Sequence, residues 1–252
     1  MANNGHLTPD ELKHYQDEGY IILEPFFGAG ETDALRAHVD VFDAELNKQL
    51  LASGEHASQV PSQIAYTCNL NFRDPFIQSF LAQERMANLM TQLLGPNVRL
   101  QWDQSTYKRP ESPHNLPWHQ DIGTLPTEPV HFVTCYLALE AMTIANGCVW
   151  VLPRTHTQGV LEHKKADVGW QCYFGDEPGI SVELRKGGMV VFQSTLIHRS
   201  GPNASTDIRK SYIIQYAVDG ARNPMTGVVF DNGPLIARDG KPAYSGFYQK
   251  SA

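Results

Sequence analysis

The sequence predicts a mainly β fold, a sandwich or jelly roll fronted by α-helices. Three observations carry that expectation. From residue 97 onward, short runs rich in β-branched and aromatic residues alternate with turn signals. Before residue 95, apolar residues recur at helical spacing. No internal repeat and no linker divides the chain, so residues 1–252 read as a single domain: N-terminal helices over about 8–95, a jelly-roll core over about 97–219, and a C-terminal wrap over 220–252.

Thr8-Pro9-Asp10-Glu11 opens the first helix. Thr is the N-cap, Pro sits at N1 where its fixed φ suits the first turn, and Glu at N3 reaches back to complete a capping box. Gly19 ends the helix, and Tyr20-Ile21-Ile22-Leu23 reads as a buried strand. Leu35, Val39, Phe42 and Leu46 recur at spacings of three and four, which predicts a second helix over 30–48. Residues 49–66 are polar and irregular and read as a mobile loop over a site. Helical spacing returns over 84–94 and stops at Gly95-Pro96. Residues 98–108 alternate as a strand, with Leu100, Trp102, Gln104, Thr106 and Lys108 expected on one face. Further strands are expected over 130–140, 148–152, 181–184, 189–192, 195–198 and 209–219. Asn146-Gly147, Lys186-Gly187-Gly188 and Ser200-Gly201-Pro202-Asn203 mark turns between them. The tail after 219 is rich in Gly and Pro and is expected to wrap the barrel.

Composition excludes several function classes. At 42% hydrophobic residues the chain can bury a substantial core, and its formal net charge is −7. No basic cluster exceeds pairs such as Lys164-Lys165, which disfavours a nucleic-acid surface. No apolar run approaches the roughly 18 residues of a membrane span, and MANNGHLTPDEL has no signal-peptide pattern. Cys68, Cys135, Cys148 and Cys172 are scattered without a CxxC pair, as free thiols of a reducing compartment are. The expectation is a cytoplasmic protein without structural zinc that acts on a small molecule, with no nucleic-acid or membrane partner. Its oligomeric state has no sequence signature.

One split constellation carries chemistry: His119-Gln120-Asp121, then His198, then Arg209. Two imidazoles and one carboxylate form the facial ligand set of non-heme Fe(II) oxygenases, which leaves three coordination positions open. A dicarboxylic co-substrate can chelate two and O2 can take the third, while an arginine grips the far carboxylate. His38-Val39-Asp40 has the same spacing but lies in the helical run. There i and i+2 point to nearly opposite sides, so His38 reads as an ordinary surface residue. His119 follows Pro110, Pro113 and Pro117 in an extended segment, where i and i+2 face the same side. His114, His131, His156 and His163 read as structural or surface residues. The residues alone leave two rivals open: a cupin-like metal-dependent isomerase or lyase without a dicarboxylic co-substrate, and a non-catalytic jelly-roll binding protein.

TPDELKHYQDEGYIIL, YKRP, PWHQD, NGCVWVLPRTH, and HRSGPN followed by Arg209 resemble, in order and spacing, the phytanoyl-CoA dioxygenase family of Fe(II)/2-oxoglutarate oxygenases. The resemblance covers roughly residues 7–219. It implies a double-stranded β-helix, with Fe(II), 2-oxoglutarate and O2 as cofactor and co-substrates, and release of succinate and CO2. By resemblance His119, Asp121 and His198 are the iron ligands. Arg209, at 209 − 198 = 11 residues past the distal histidine, holds the far carboxylate of 2-oxoglutarate. Ser200, Lys108 and Tyr136 match co-substrate contacts, and Gln104 joins them from its place on the Lys108 face. Arg209 is expected to begin the strand beside the one that His198 ends. Asp121 implies oxygenation, most simply hydroxylation, rather than halogenation. Two departures stand out: Arg154 replaces a family glycine in Pro153-Arg154-Thr155-His156, and Ala141 replaces a common Asp. The expected substrate is a small or medium metabolite of a biosynthetic pathway. Its pocket is expected to be walled by 49–66 and by 159–179 with Trp170, Tyr173 and Phe174, and Arg154 is a candidate contact to a carboxylate or phosphonate.

Overall fold

The computed structural model describes residues 4–52, 64–110 and 112–249. Helix α1 (Pro9–Glu18) begins as the sequence requires: the Thr8 side chain accepts from the Glu11 amide, and the Glu11 side chain accepts from the Thr8 amide. Gly19 closes it at φ 85°, where glycine avoids the Cβ penalty. Strand β1 (Tyr20–Leu23) follows. Helix α2 (Ala29–Ala52) runs four residues beyond its expected end at 48. The irregular stretch expected over 49–66 is therefore shorter. Its middle, 53–63, lies outside the described residues, and its end already belongs to β2 (Ile64–Cys68).

Helix α3 (Pro75–Leu81) is too short for apolar periodicity to reveal. Its signal is Asp74-Pro75: Pro sits in the first turn, and the Asp74 carboxylate accepts from the amides of Phe76 and Ile77. Helix α4 (Glu84–Leu94) ends at Gly95, as expected.

The strands form two antiparallel sheets. The larger joins β1 and β2 with β3 (Val98–Lys108), β5 (Phe132–Ala138), β10 (Met189–Gln193), β12 (Arg209–Val218), β13 (Leu235–Arg238) and β14 (Lys241–Pro242). Its order is β1-β10-β5-β12-β3-β13-β14, with β2 also pairing β3. The smaller has the order β4-β11-β6-β9, from β4 (Leu116–His119), β6 (Val149–Val151), β9 (Ile180–Val182) and β11 (His198–Ser200). A separate ribbon pairs β7 (Lys164–Lys165) with β8 (Trp170–Gln171). The expected jelly roll fronted by helices is thus present. Two details differ. The strand expected at 195–198 starts only at His198, since the chain turns at 194–196. And β11 and β12 are not neighbours: they belong to opposite sheets.

Alternation divides the large sheet. Tyr107, Tyr212, Ile214 and Tyr216 pack with Leu35, Val39, Ile77, Met86 and Met90 in the core beneath the helices. Tyr136, Phe192 and Ala138 face the small sheet and meet Val149 and Val151. Leu100, expected beside Trp102, belongs to the helical core instead. Gln215 pairs with Trp102 and Tyr216 with Leu100, so Gln101 is an extra residue that reverses the alternation. Among the described residues no helix is long and apolar enough to cross a membrane.

A buried carboxylate ties these layers together. Asp103 accepts from the Tyr212 hydroxyl at 2.6 Å, from the Asn71 amide at 3.1 Å and from the Asn71 side chain at 2.5 Å. Burial pushes its pKa up while these donors oppose the shift. Every partner is a donor, so an amide here would turn N–H toward N–H. Asp103→Asn should therefore destabilise the protein by at least about 2 kcal/mol although it removes a buried charge. Urea unfolding of the purified variant checks this.

Candidate active site

His119 ends β4 and His198 begins β11, and the two residues pair across the small sheet. Each imidazole is set by the same local device. The Nδ1–H of His119 donates to the Pro117 carbonyl at 2.8 Å, and that of His198 donates to the Leu196 carbonyl at 3.0 Å. That tautomer leaves both Nε2 lone pairs pointing at one spot. Asp121 opens the short 3₁₀ turn after β4, and its Oδ1 lies 3.7 Å from His119 Nε2 and 3.5 Å from His198 Nε2. All three ligand atoms lie within 4.8 Å of one another. Burial first, and then the neighbouring His198, push the His119 pKa down to about 4, so that imidazole is neutral near neutral pH, as a metal ligand must be.

Asp121 Oδ2 is engaged elsewhere. It accepts from Thr134 Oγ1 at 2.6 Å and from Gln215 Nε2 at 3.2 Å, while Gln215 also donates to Thr134. The carboxylate thus offers one oxygen, not two. Sequence reasoning missed Thr134 and Gln215. Both were within reach of period-two counting: Thr134 is two residues before Tyr136, and Gln215 is three such steps after Arg209.

The triad lines a cavity of about 380 Å³ between the two sheets, with Arg209, Ser200, Lys108, Tyr136 and Gln104 in its walls. All of the site residues expected from the sequence therefore converge. Arg209 is 1% exposed. Its Nη1 donates to the Tyr136 hydroxyl at 2.7 Å and to the Gly147 carbonyl at 3.1 Å. Its Nε and Nη2 are buried without a partner. An always-charged, buried fork with two unused donors calls for an anion. Gly147 is required here, since a Cβ at its φ of 83° would come within 2.5 Å of the Gly201 carbonyl oxygen.

Lys108 pairs with Arg209 in register across β3 and β12. Its ammonium donates to the Ser200 hydroxyl at 3.2 Å and to the carbonyls of His114 and Gly201. Burial first, then the Arg209 charge, lower it to about 7. The same end of the cavity so carries two cationic side chains and no carboxylate among its described lining residues other than Asp121. Gln104 spends its amide on Thr106 and its carbonyl on the Trp102 indole.

Other expectations need correction. His38 stays apart from any metal set but is not an ordinary surface residue. It bonds Asp74, the cap of α3, at 2.6 Å and stacks on Phe76 at 4.2 Å. His163 is structural, as the sequence reading has it: its Nε2 accepts from the Gln120 amide, and its Nδ1–H donates to Leu161. Arg154 does not face the cavity. It forks onto the Glu18 carboxylate at the end of α1, and its backbone adopts φ 67°, a conformation that favours glycine. Of the proposed aromatic walls only Trp170 lines the cavity. Tyr173 packs edge-on against Trp118, and Phe174 is 63% exposed with Lys164 over its ring. On the outer face of the small sheet, the Arg199 guanidinium is sandwiched between Trp118 and Trp150, 4.8 and 5.0 Å from their rings. Trp102, Tyr66, Thr106 and Leu125 complete the cavity.

Comparison with known proteins adds three findings. The family model for phytanoyl-CoA dioxygenase (PhyH) matches residues 15–211. Among curated proteins, the chain is 24% identical over 255 residues to a phytanoyl-CoA dioxygenase of Arabidopsis thaliana, covering 84% of this chain and 89% of that protein. It is 28% identical over 225 residues to a probable alpha-ketoglutarate-dependent hypophosphite dioxygenase of Stutzerimonas stutzeri, covering 82% and 78%. Among solved structures, the epimerase SnoN in complex with Fe3+, alpha-ketoglutarate and a nogalamycin compound shares the fold at a TM-score of 0.67 and 21% identity, over 94% of this chain and 95% of that one.

Proposed function

The chain belongs to the phytanoyl-CoA dioxygenase family and is a non-heme Fe(II)/2-oxoglutarate dioxygenase, and from that premise we propose that His119, Asp121 and His198 hold the iron and that Arg209 holds the far carboxylate of 2-oxoglutarate. The observation that carries the assignment is the joint presence, in one cavity, of a three-donor cluster and a buried guanidinium with two unused donors. An isomerase or lyase without a dicarboxylic co-substrate would leave that guanidinium without a task.

The residues fit the cofactor and divide the work. Two imidazoles and a single carboxylate oxygen would hold iron from one side of the cavity and leave it open to the co-substrates. Thr134 and Gln215 keep Asp121 from closing a further position with its second oxygen. Arg209 supplies a bidentate, charge-assisted grip, with Tyr136 and Gly147 fixing its orientation. Lys108 pins Ser200 and adds positive charge at the same end. When bound, iron with 2-oxoglutarate and O2 supplies the oxidising power, and succinate and CO2 leave as co-products. The substrate is a small or medium-sized metabolite, and hydroxylation is its most direct outcome. Supporting this, Trp102, Tyr66, Leu125 and Thr106, which also line the cavity, are aromatic, aliphatic or neutral polar.

Three outcomes test the proposal. His198→Ala should lose both bound iron and succinate production, whereas His38→Ala keeps its iron and loses only stability through Asp74. Iron analysis of the two purified variants reads the difference. Arg209→Ala should raise the 2-oxoglutarate requirement at least tenfold, because such a contact contributes about 1.5–3 kcal/mol. Arg209→Lys should recover part of it, since lysine lacks the planar fork. In a metabolite panel scored by substrate-stimulated succinate release, small neutral compounds should be turned over. Robust turnover of phytanoyl-CoA would refute the small-metabolite reading.

A further inference from the structure

Trp170 is a wall of two cavities. Beside the one that holds the triad lies a second cleft, also of about 380 Å³, lined by Ile122, Pro126, Val130, Val160, Leu161 and His163 together with the same Trp170. The chain from Asp121 to Thr127 is the partition. Asp121, Thr124 and Leu125 face the first cavity, while Ile122, Gly123, Pro126 and Thr127 face the second. The turn that presents a metal-ligand candidate on one side therefore floors the second cleft on the other.

The chemistry of the second cleft is restricted. Its polar side chains, apart from the Trp170 indole, are already committed. Both His163 nitrogens are bonded, to the Gln120 amide and the Leu161 carbonyl. Thr127 Oγ1 donates to the Leu125 carbonyl and accepts from Gln101. No lysine, arginine or carboxylate lines it among the described residues. Gly123 lets His163 lie flat against the partition, since a Cβ there would come within 2.2 Å of the ring. Val130, Val160 and Trp170 stand 55%, 52% and 45% exposed at the mouth. A concave surface whose one uncommitted polar group is the Trp170 indole, with apolar residues left in water, gains free energy chiefly by covering apolar matter.

We propose that this cleft is the second half of the substrate site, taking an uncharged, apolar extension of the molecule whose oxidised end lies beside the triad. The proposal rests on the catalytic reading given above. The occupant is the substrate because the cleft shares Trp170 as a wall with the catalytic cavity and has a volume suited to a small hydrocarbon or ring group. A phosphorylated or carboxylated tail would find no counter-charge and would lose its hydration. The substrate class is thus a neutral, elongated or ring-bearing molecule with an apolar end, and Trp170 sets how the two halves are bridged.

The test titrates the protein with N-phenyl-1-naphthylamine, an uncharged fluorophore, with and without iron and 2-oxoglutarate under nitrogen. Straight-chain 1-alkanols and the alkanoates of equal length then compete for the site. The probe should brighten on binding. Alkanol competition should strengthen about fourfold per added methylene, the equivalent of ~0.8 kcal/mol, and alkanoates should compete on the order of tenfold more weakly. Val160→Asp and Val130→Asp, both at exposed positions that line only the second cleft, should each weaken probe binding on the order of tenfold. Absence of probe binding, alkanoates competing as well as alkanols, or wild-type affinity in both variants would each overturn the proposal. The alkanol–alkanoate comparison needs no variant and decides the matter if either substitution impairs folding. Failure to bind iron and 2-oxoglutarate would instead refute the catalytic reading, and the probe would still report on the cleft.

Discussion

The site depends on one constraint, the two-residue alternation of β3, β5 and β12. Each of these strands must serve a helical core on one face and a polar cavity on the other. Tyr107, Tyr212 and Tyr216 go to the core, while Lys108, Arg209 and Gln215 go to the cavity. A slip of one residue would exchange the two sets. The Gln101 bulge shows how tightly this is managed: it shifts the phase so that Leu100 reaches the core while Trp102 remains at the cavity. The small sheet then needs to bring only three short segments into range.

Local devices finish what the sheets begin. Both histidines are oriented by carbonyls two residues earlier in their own chain segments, which needs no distant partner. Asp121 is oriented from the opposite sheet by Thr134 and Gln215. The two imidazoles and the Asp121 carboxylate therefore take their positions from two facing sheets, and closure of the roll brings them together. The two buried cations, Lys108 and Arg209, sit in register on adjacent strands. In the free protein their mutual repulsion is offset by hydroxyl and carbonyl acceptors from several loops, and a bound dicarboxylate would add the missing opposite charge.

Much of this was legible in the sequence. The capping box at Thr8, the helix over 84–94 and the strand over 98–108 appear where composition and spacing put them. So does the gathering of His119, Asp121, His198 and Arg209 around one cavity. What escaped was set by tertiary context. The helix at Pro75–Leu81 is too short to show a period, and the bulge at Gln101 leaves no residue signature because its cause is pairing with β12. Arg154 looked like a substrate contact because its position lies near the barrel mouth. Its partner, Glu18, is 136 residues away in sequence. The same holds for His38, whose role comes from Asp74, for Tyr173, which packs on Trp118, and for Phe174, which is exposed beside Lys164, while Trp170 reaches the cavity.

The four tryptophans of the chain fall into two pairs with different surroundings. Trp102 and Trp170 border the catalytic cavity, while Trp118 and Trp150 clasp the Arg199 guanidinium on the outside of the small sheet. The protein consequently carries an intrinsic optical probe of its own interior. Emission from the first pair responds to whatever fills the cavity, and emission from the second responds to the integrity of the sheet that bears both histidines. Red-edge and blue-edge components of one spectrum can then separate occupancy of the site from loosening of its scaffold, without a label.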